Sequence, residues 1–177
     1  MRKVLSILGQ LSDDDVEWLV QNGTRQHSAA GTVLITAGQP VSHLYIVLHG
    51  EVVVQLPNGV QLARLGEGEV LGEMSLVDQA PPTASVLVAE AAVFLAVEQR
   101  ALRRQIDAQP LFAAHLYRAI AAFLAMRMRA TTATLGYGES GPARLADEVE
   151  LDETILDHLH LAGARFERMR RLLDARS

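Results

Sequence analysis

VVVQLPNGVQLARLGEGEVLGEMSLVDQAPPTAS, residues Val52 to Ser85, carries the reading of the fold. Its first part is a pair of β-rich runs, Val52–Leu56 and Val60–Leu65, on either side of Pro57-Asn58-Gly59. Asn-Gly supplies the positive φ angles of a tight turn, so this part predicts a hairpin. Its last part, Gly72 to Ser85, has the shape of an anion cradle. A Gly allows close backbone approach, a one-turn helix over Met74–Val77 offers N–H groups, and a Pro turn leads to the hydroxyl of Thr83. Helix starts of this kind hold phosphates through backbone donors and the helix dipole. The only charged side chains in the cradle, Glu73 and Asp78, are acidic, so no cation is built in.

Working outward, short β-rich runs recur at Val33–Thr36, Leu44–Leu48, Ala84–Val88 and Ala92–Val97. Gly38-Gln39-Pro40, His49-Gly50 and Gly66-Glu67-Gly68 punctuate them as turns. Many short strands at close spacing predict a β-roll, barrel or sandwich. Helical patterns flank this region. Ser12 caps a first helix with Asp15 at the capping-box position, Val16, Leu19 and Val20 share one face, and Gly23 ends it. Glu98 to Ala108 reads as helical, and Pro110 starts a longer helix to about Thr134. Phe112, Leu116, Ala119, Phe123, Met126 and Ala130 alternate spacings of four and three, a coiled-coil-like seam, and Leu111, Ile120, Leu124 and Met128 widen it. A helix apolar on two sides is expected to pack on the β unit with one and on a partner subunit with the other.

Gly136 to Pro142 is a linker by composition. Beyond it Asp152 is placed to cap a last helix, where Ile155, Leu159, Ala162, Phe166, Met169 and Leu173 keep the same rhythm. One long amphipathic helix fits this segment, and so does a helical hairpin broken near Gly163. The expected fold is α+β: an antiparallel, jelly-roll-like β-roll flanked by helices, with a long C-terminal dimerisation helix and a short helical tail. The expected divisions are 1–135, 136–142 and 143–177.

Bulk properties narrow the function classes. In 177 residues, 49% are apolar and 21% charged, which argues for a packed core and against disorder. A net charge of −5 argues against coating nucleic acid through bulk charge. The absence of cysteine excludes disulfides and thiolate metal sites, and points to a reducing, cytoplasmic setting. The N-terminal apolar patch is too short for a signal peptide or a membrane span. His158 and His160 are two apart on an expected helix and do not share a face, and no zinc-ligand spacing occurs. With no nucleophile elbow, P-loop or dinucleotide fingerprint, neither an enzyme nor a resident cofactor is expected.

Three motifs carry a resemblance. GQPVSHLYIVLHGEVVV (Gly38–Val54) is similar to the early hairpin of the cyclic-nucleotide-binding domain family, in its bacterial catabolite activator branch, with Gly50 turning between two strands. GEVLGEMSLV (Gly68–Val77) resembles the entry to that family's phosphate-binding cassette, and Arg127, Thr131 and Thr132 resemble its purine-contacting segment. The resemblance covers about residues 10 to 135. It implies a ligand site of Leu71, Gly72, Glu73, Met74, Ser75, Pro82, Thr83, Ala84, Arg127, Thr131 and Thr132. In that site Glu73 would accept from a ribose hydroxyl, and Gly72, Met74 and Ser75 would supply backbone donors to a cyclic phosphate. Thr83 would touch phosphate or base, and Thr131 and Thr132 would reach the purine, one of them across a homodimer formed by the 111–134 helix. Cyclic AMP or a related cyclic nucleotide is the implied ligand.

The departure from the family pattern is Pro82, which stands where an Arg normally forms a bidentate pair with the phosphate. Losing one member of a buried charge pair costs about 2–5 kcal/mol, or about 10- to 1,000-fold or more in affinity. Arg127 is the candidate to replace it; Arg64 is placed by strand alternation toward solvent. Glu73 has a second reading, as a cap or as a partner of Arg127. Two other functions stay open: a ligand-free dimerisation module, and a truncated transcription regulator. Against the latter, only about 35 residues follow the linker, short of a helix-turn-helix domain. Their acids come early and their arginines late, as a helix dipole favours. The 152–174 helix is expected to engage a protein partner.

Overall fold

The computed structural model describes residues 8–136 and 153–175, with backbone alone for 130–136 and 153–160. Helix α1 (Asp13–Asn22) starts at the expected capping box. Ser12 Oγ accepts from the Asp15 N–H at 3.1 Å, and Asp15 Oδ2 accepts from the Ser12 N–H at 2.6 Å. Gly23 ends the helix as expected, but by a different device. Its backbone is extended rather than left-handed, and the chain passes straight into β1 (Gly23–Ser28). Glycine is required there by space, since a Cβ would lie 2.4 Å from Leu95 Cδ1.

Seven further strands follow: β2 (Val33–Ile35), β3 (His43–His49), β4 (Val52–Gln55), β5 (Gln61–Leu65), β6 (Val70–Leu71), β7 (Ser85–Val88) and β8 (Ala92–Glu98). They form two antiparallel four-stranded sheets, ordered β1-β8-β3-β6 and β2-β7-β4-β5. This is the predicted β-roll. The Asn58-Gly59 hairpin is present, with Val52 opposite Leu65. The run around Gly50 is not a hairpin: β3 and β4 belong to different sheets, and Gly50 is the corner between them.

The middle strands of the first sheet, β3 and β8, are buried on both faces, which explains why β3 reads as an unbroken apolar run. Leu44, Ile46 and Leu48 point to the helices, with Leu95 and Val97 of β8. Tyr45 and Val47 point into the space between the sheets, with Phe94 and Ala96.

Helix α2 (Glu73–Asp78) interrupts the roll, and α3 (Gln99–Ala108), α4 (Pro110–Gly136) and α5 (Glu153–Asp174) follow it. On α4 the stripe Phe112, Leu116, Ala119, Ile120 and Phe123 is buried in this chain's own core. The opposite side leaves Leu111, Tyr117 and Met128 exposed. By length and composition Pro110–Arg129 would also pass for a membrane span, yet its most apolar stripe is a core element. Asp15 joins α1 to α4 through His115, whose Nδ1 lies 2.7 Å from Oδ2.

Helix α5 is continuous through Gly163, which decides between the two readings of the tail. Ala162, Phe166, Met169 and Leu173 are buried in the same core as α1 and α4. Arg165 donates to Asp13 Oδ1 at 2.8 Å and to the carbonyls of Leu8 and Gly9, and Arg168 reaches Asp13 and Glu17. The seam expected to meet a protein partner is thus occupied, from Ala162 onward, by the chain's own N-terminal helix. The 137–142 part of the linker, Asp152 and the side chains of Ile155 and Leu159 lie outside the described residues.

Candidate functional site

Gly72 sets the geometry of the cradle. It has φ +83, and a Cβ there would lie 2.6 Å from the His43 carbonyl oxygen. The left-handed turn lets β6 pass into α2 without a linker, so Glu73 opens the helix. The first helical bond runs from the Leu76 N–H to the Gly72 carbonyl at 3.3 Å, so the N–H groups of Glu73, Met74 and Ser75 precede it. Helix α3 pins this turn. Gln99 Nε2 donates to the Gly72 carbonyl at 3.0 Å, and Arg103 Nη2 donates to the Ser75 carbonyl at 3.1 Å. The Ser75 hydroxyl donates to the Ala80 carbonyl at 2.8 Å, closing the return toward Pro81 and Pro82. Pro82 accepts at its carbonyl from the Gly38 N–H at 2.8 Å.

Between α2, the second sheet and α4 lies a cavity of about 570 Å³. That volume falls within the range of about 300–1,000 Å³ usual for small-molecule sites. Leu71, Gly72, Glu73, Met74, Ser75, Pro82, Thr83, Ala84 and Arg127 all line it. Thr131 and Thr132 lie on α4 just beyond Arg127, and their side chains are outside the described residues. The walls are apolar: Ile35, Val41, Val54, Leu62, Leu65 and Val86. None of these was expected as a site residue. Only Val86, within the alternating burial of β7, carried a period-2 signal.

Glu69 was missed as well. Glu69, Leu71 and Glu73 all line the cavity. Glu73 is 3% exposed and Glu69 is 6% exposed. Arg127 Nη1 donates to Glu73 Oε1 at 2.7 Å, while its Nη2 lies 4.0 Å from Glu69 Oε2. The guanidinium also lies 4.6 Å over the Phe123 ring. Burial pushes the Glu73 carboxyl above its ordinary value; the charge of Arg127 opposes this and that of Glu69 adds to it. Arg64 sits at the rim, largely exposed and paired with Glu51. Pro82 brings no donor or charge, and of the two cations lining the cavity Arg127 is engaged by Glu73 and Arg64 by Glu51. No cluster able to hold a metal ion occurs among the described residues.

Residues 25–109 match the family model described as "Cyclic nucleotide-binding domain". An uncharacterized NTE family protein of Mycobacterium tuberculosis is 28% identical over 155 residues, which are 85% of this chain and 27% of that protein. The chain therefore spans about a quarter of that relative's length. Among solved structures, a cyclic nucleotide-binding domain from Methylobacillus flagellatus superposes with a TM-score of 0.68 at 24% identity, over 80% of this chain and 85% of that one. The catabolite activator protein of Thermus thermophilus superposes with a TM-score of 0.57 at 26% identity, over 93% of this chain and 83% of that one.

Proposed function

We propose that residues 25–109, which match the family model described as a cyclic nucleotide-binding domain, form such a domain, and that this chain is a regulatory sensor of a small nucleoside-like ligand. The carrying observation is the cavity that gathers cassette residues Gly72 to Ala84 with Arg127 of α4 around buried Glu73. Glu73 accepts from ligand hydroxyls, the apolar walls hold a base, and the N–H groups at the start of α2 face a phosphate. Cyclic AMP and cyclic GMP are bound through these contacts, weakly, because Pro82 replaces the cassette arginine. Binding opens the Arg127–Glu73 pair and so moves α4, and the response passes to a second copy of the chain or to a protein partner in the cytoplasm. The chain itself performs no catalysis in this reading.

A second reading rests on the same pair. Arg127 and Glu73 already satisfy each other, as they would in a ligand-free packing module. Calorimetry and thermal shift with cyclic AMP and cyclic GMP separate the two. Heat and a raised melting temperature support the sensor. No heat and no shift at millimolar ligand would sink it.

A further inference from the structure

Glu69 is the group that neither the family resemblance nor the packing of the roll explains. Its side chain is 7% exposed, and Oε2 has no hydrogen-bond partner. The nearest cation, Arg127 Nη2, is 4.0 Å away, beyond hydrogen-bond reach, and Nη1 of the same guanidinium is engaged by Glu73. The backbone around it is fixed at both polar atoms: the Glu69 N–H donates to the Gly66 carbonyl at 3.1 Å, and the Glu69 carbonyl accepts from the Val47 N–H at 3.0 Å. The carboxylate is therefore held at the cavity wall by the sheet. A buried carboxylate oxygen left without a donor is costly, and native structures seldom retain one without a reason.

The charges around the cavity act in the same direction. Glu69, Glu73 and Asp78 line it against Arg64 and Arg127, and Arg64 is paired with Glu51 at the rim. Pro82 adds nothing to offset them. A phosphate entering here meets an excess of negative charge, whereas a donor or a cation meets an acceptor that lacks a partner. We infer that this pocket selects a ligand presenting an N–H donor or a positive charge to Glu69, such as an amine or an aminated heterocycle on an apolar body, over one presenting a phosphate. This rests on the reading of the cavity as a small-molecule site and specifies the class of molecule it takes.

The test uses three probes that share a base and a sugar: cyclic AMP, adenosine and 5′-amino-5′-deoxyadenosine, carrying negative, no and positive charge at the same end. Each is titrated calorimetrically into the full chain and into Glu69→Gln. Affinity is expected to rise in that order by about 10-fold or more from first to last, equivalent to a Kd ratio of one decade. Glu69→Gln is expected to abolish the order. Tightest binding of cyclic AMP overturns the inference and leaves the sensor reading standing. Absence of heat from all three overturns the sensor reading for nucleosides. Glu69 is then judged on thermal unfolding. Removing a buried charge whose Oε2 has no hydrogen-bond donor should raise the melting temperature by about 2–4 °C. A lowered melting temperature makes Glu69 a structural partner of Arg127 and overturns the inference.

Discussion

Arg127 Nη1 donates to Glu73 Oε1 at 2.7 Å across 54 positions of sequence, and this bond joins the long helix to the cradle. The same guanidinium covers Phe123, one turn earlier on α4, and Phe123 is 1% exposed in the core. A ligand that competes for either partner therefore acts on a helix whose buried stripe carries the fold.

Pro82→Arg should raise affinity for cyclic AMP by about 10- to 1,000-fold, the reverse of losing one partner of a charge pair. The backbone tolerates the change, because Pro82 contributes only its carbonyl, to the Gly38 N–H, and any residue keeps that. Calorimetry on wild type and variant measures it. Unchanged affinity would mean that the phosphate position is closed off by something other than the missing cation.

Arg127→Ala leaves Glu73 and Glu69 buried without their cation. The expected loss is about 2–3 kcal/mol, below the figure for fully buried pairs because the arginine side chain is 30% exposed. Urea unfolding gives the value. Adding Glu73→Gln to Arg127→Ala should recover part of the loss; strict additivity would show that the pair is not coupled.

Burial lifts the Glu73 carboxyl above its ordinary value, so the folded chain holds that proton more tightly than the unfolded chain does. The sign is then opposite to that of a salt-bridged surface acid. The contribution of Glu73 to stability improves as pH falls through the folded value, and is complete below the unfolded value near ~4.3. Stability of wild type relative to Glu73→Gln should rise from pH 7 to pH 4 in paired denaturation curves. A wild-type stability, relative to the variant, that stays flat or falls as pH is lowered would show that Arg127 outweighs burial.

Arg165→Ala removes the donor to Asp13 and to the Leu8 and Gly9 carbonyls, and should speed amide exchange along residues 161–175. Acid should loosen the same contact. The hydrogen bond from Arg165, with its charge and that of Arg168, holds Asp13 below the usual carboxylate range. Its contribution is present above about 3.9 and is lost as pH falls through the lower folded value. Exchange in α5 should therefore rise at the acid end in wild type, and Asp13→Asn should remove that rise. Exchange in β3 serves as the reference and should not follow.

Six of the eight strands were legible because they are β-rich runs between turn residues. Strand β1, GTRQHS, was not. It is an edge strand paired only with β8 and largely exposed, so burial left little hydrophobic pattern in it. Strand β6 has only two residues, too few for a period. The corner at Gly50 looked like a hairpin because a turn residue between two β-rich runs does not say which sheet each run joins. In the pocket, the cassette was legible as a contiguous stretch, whereas the apolar walls come from strands far apart in sequence. Glu69 lay in plain view in GEGEVLGEM, yet its burial is a product of tertiary closure. So is the Arg127–Glu73 hydrogen bond, which spans 54 positions of sequence.

The docking of α5 on α1 brings the two described ends of the chain to one side of the molecule. Arg165 touches the carbonyl of Leu8, and Asp174 pairs with Arg25. Ten more helical residues beyond Arg165 amount to about 15 Å. A permuted chain that joins these ends with a short flexible linker and opens at the exposed Asn58-Gly59 turn would keep both sheets and every helix. The same closeness of entry and exit makes the unit one that a longer polypeptide can carry as an insertion without stretching its own fold.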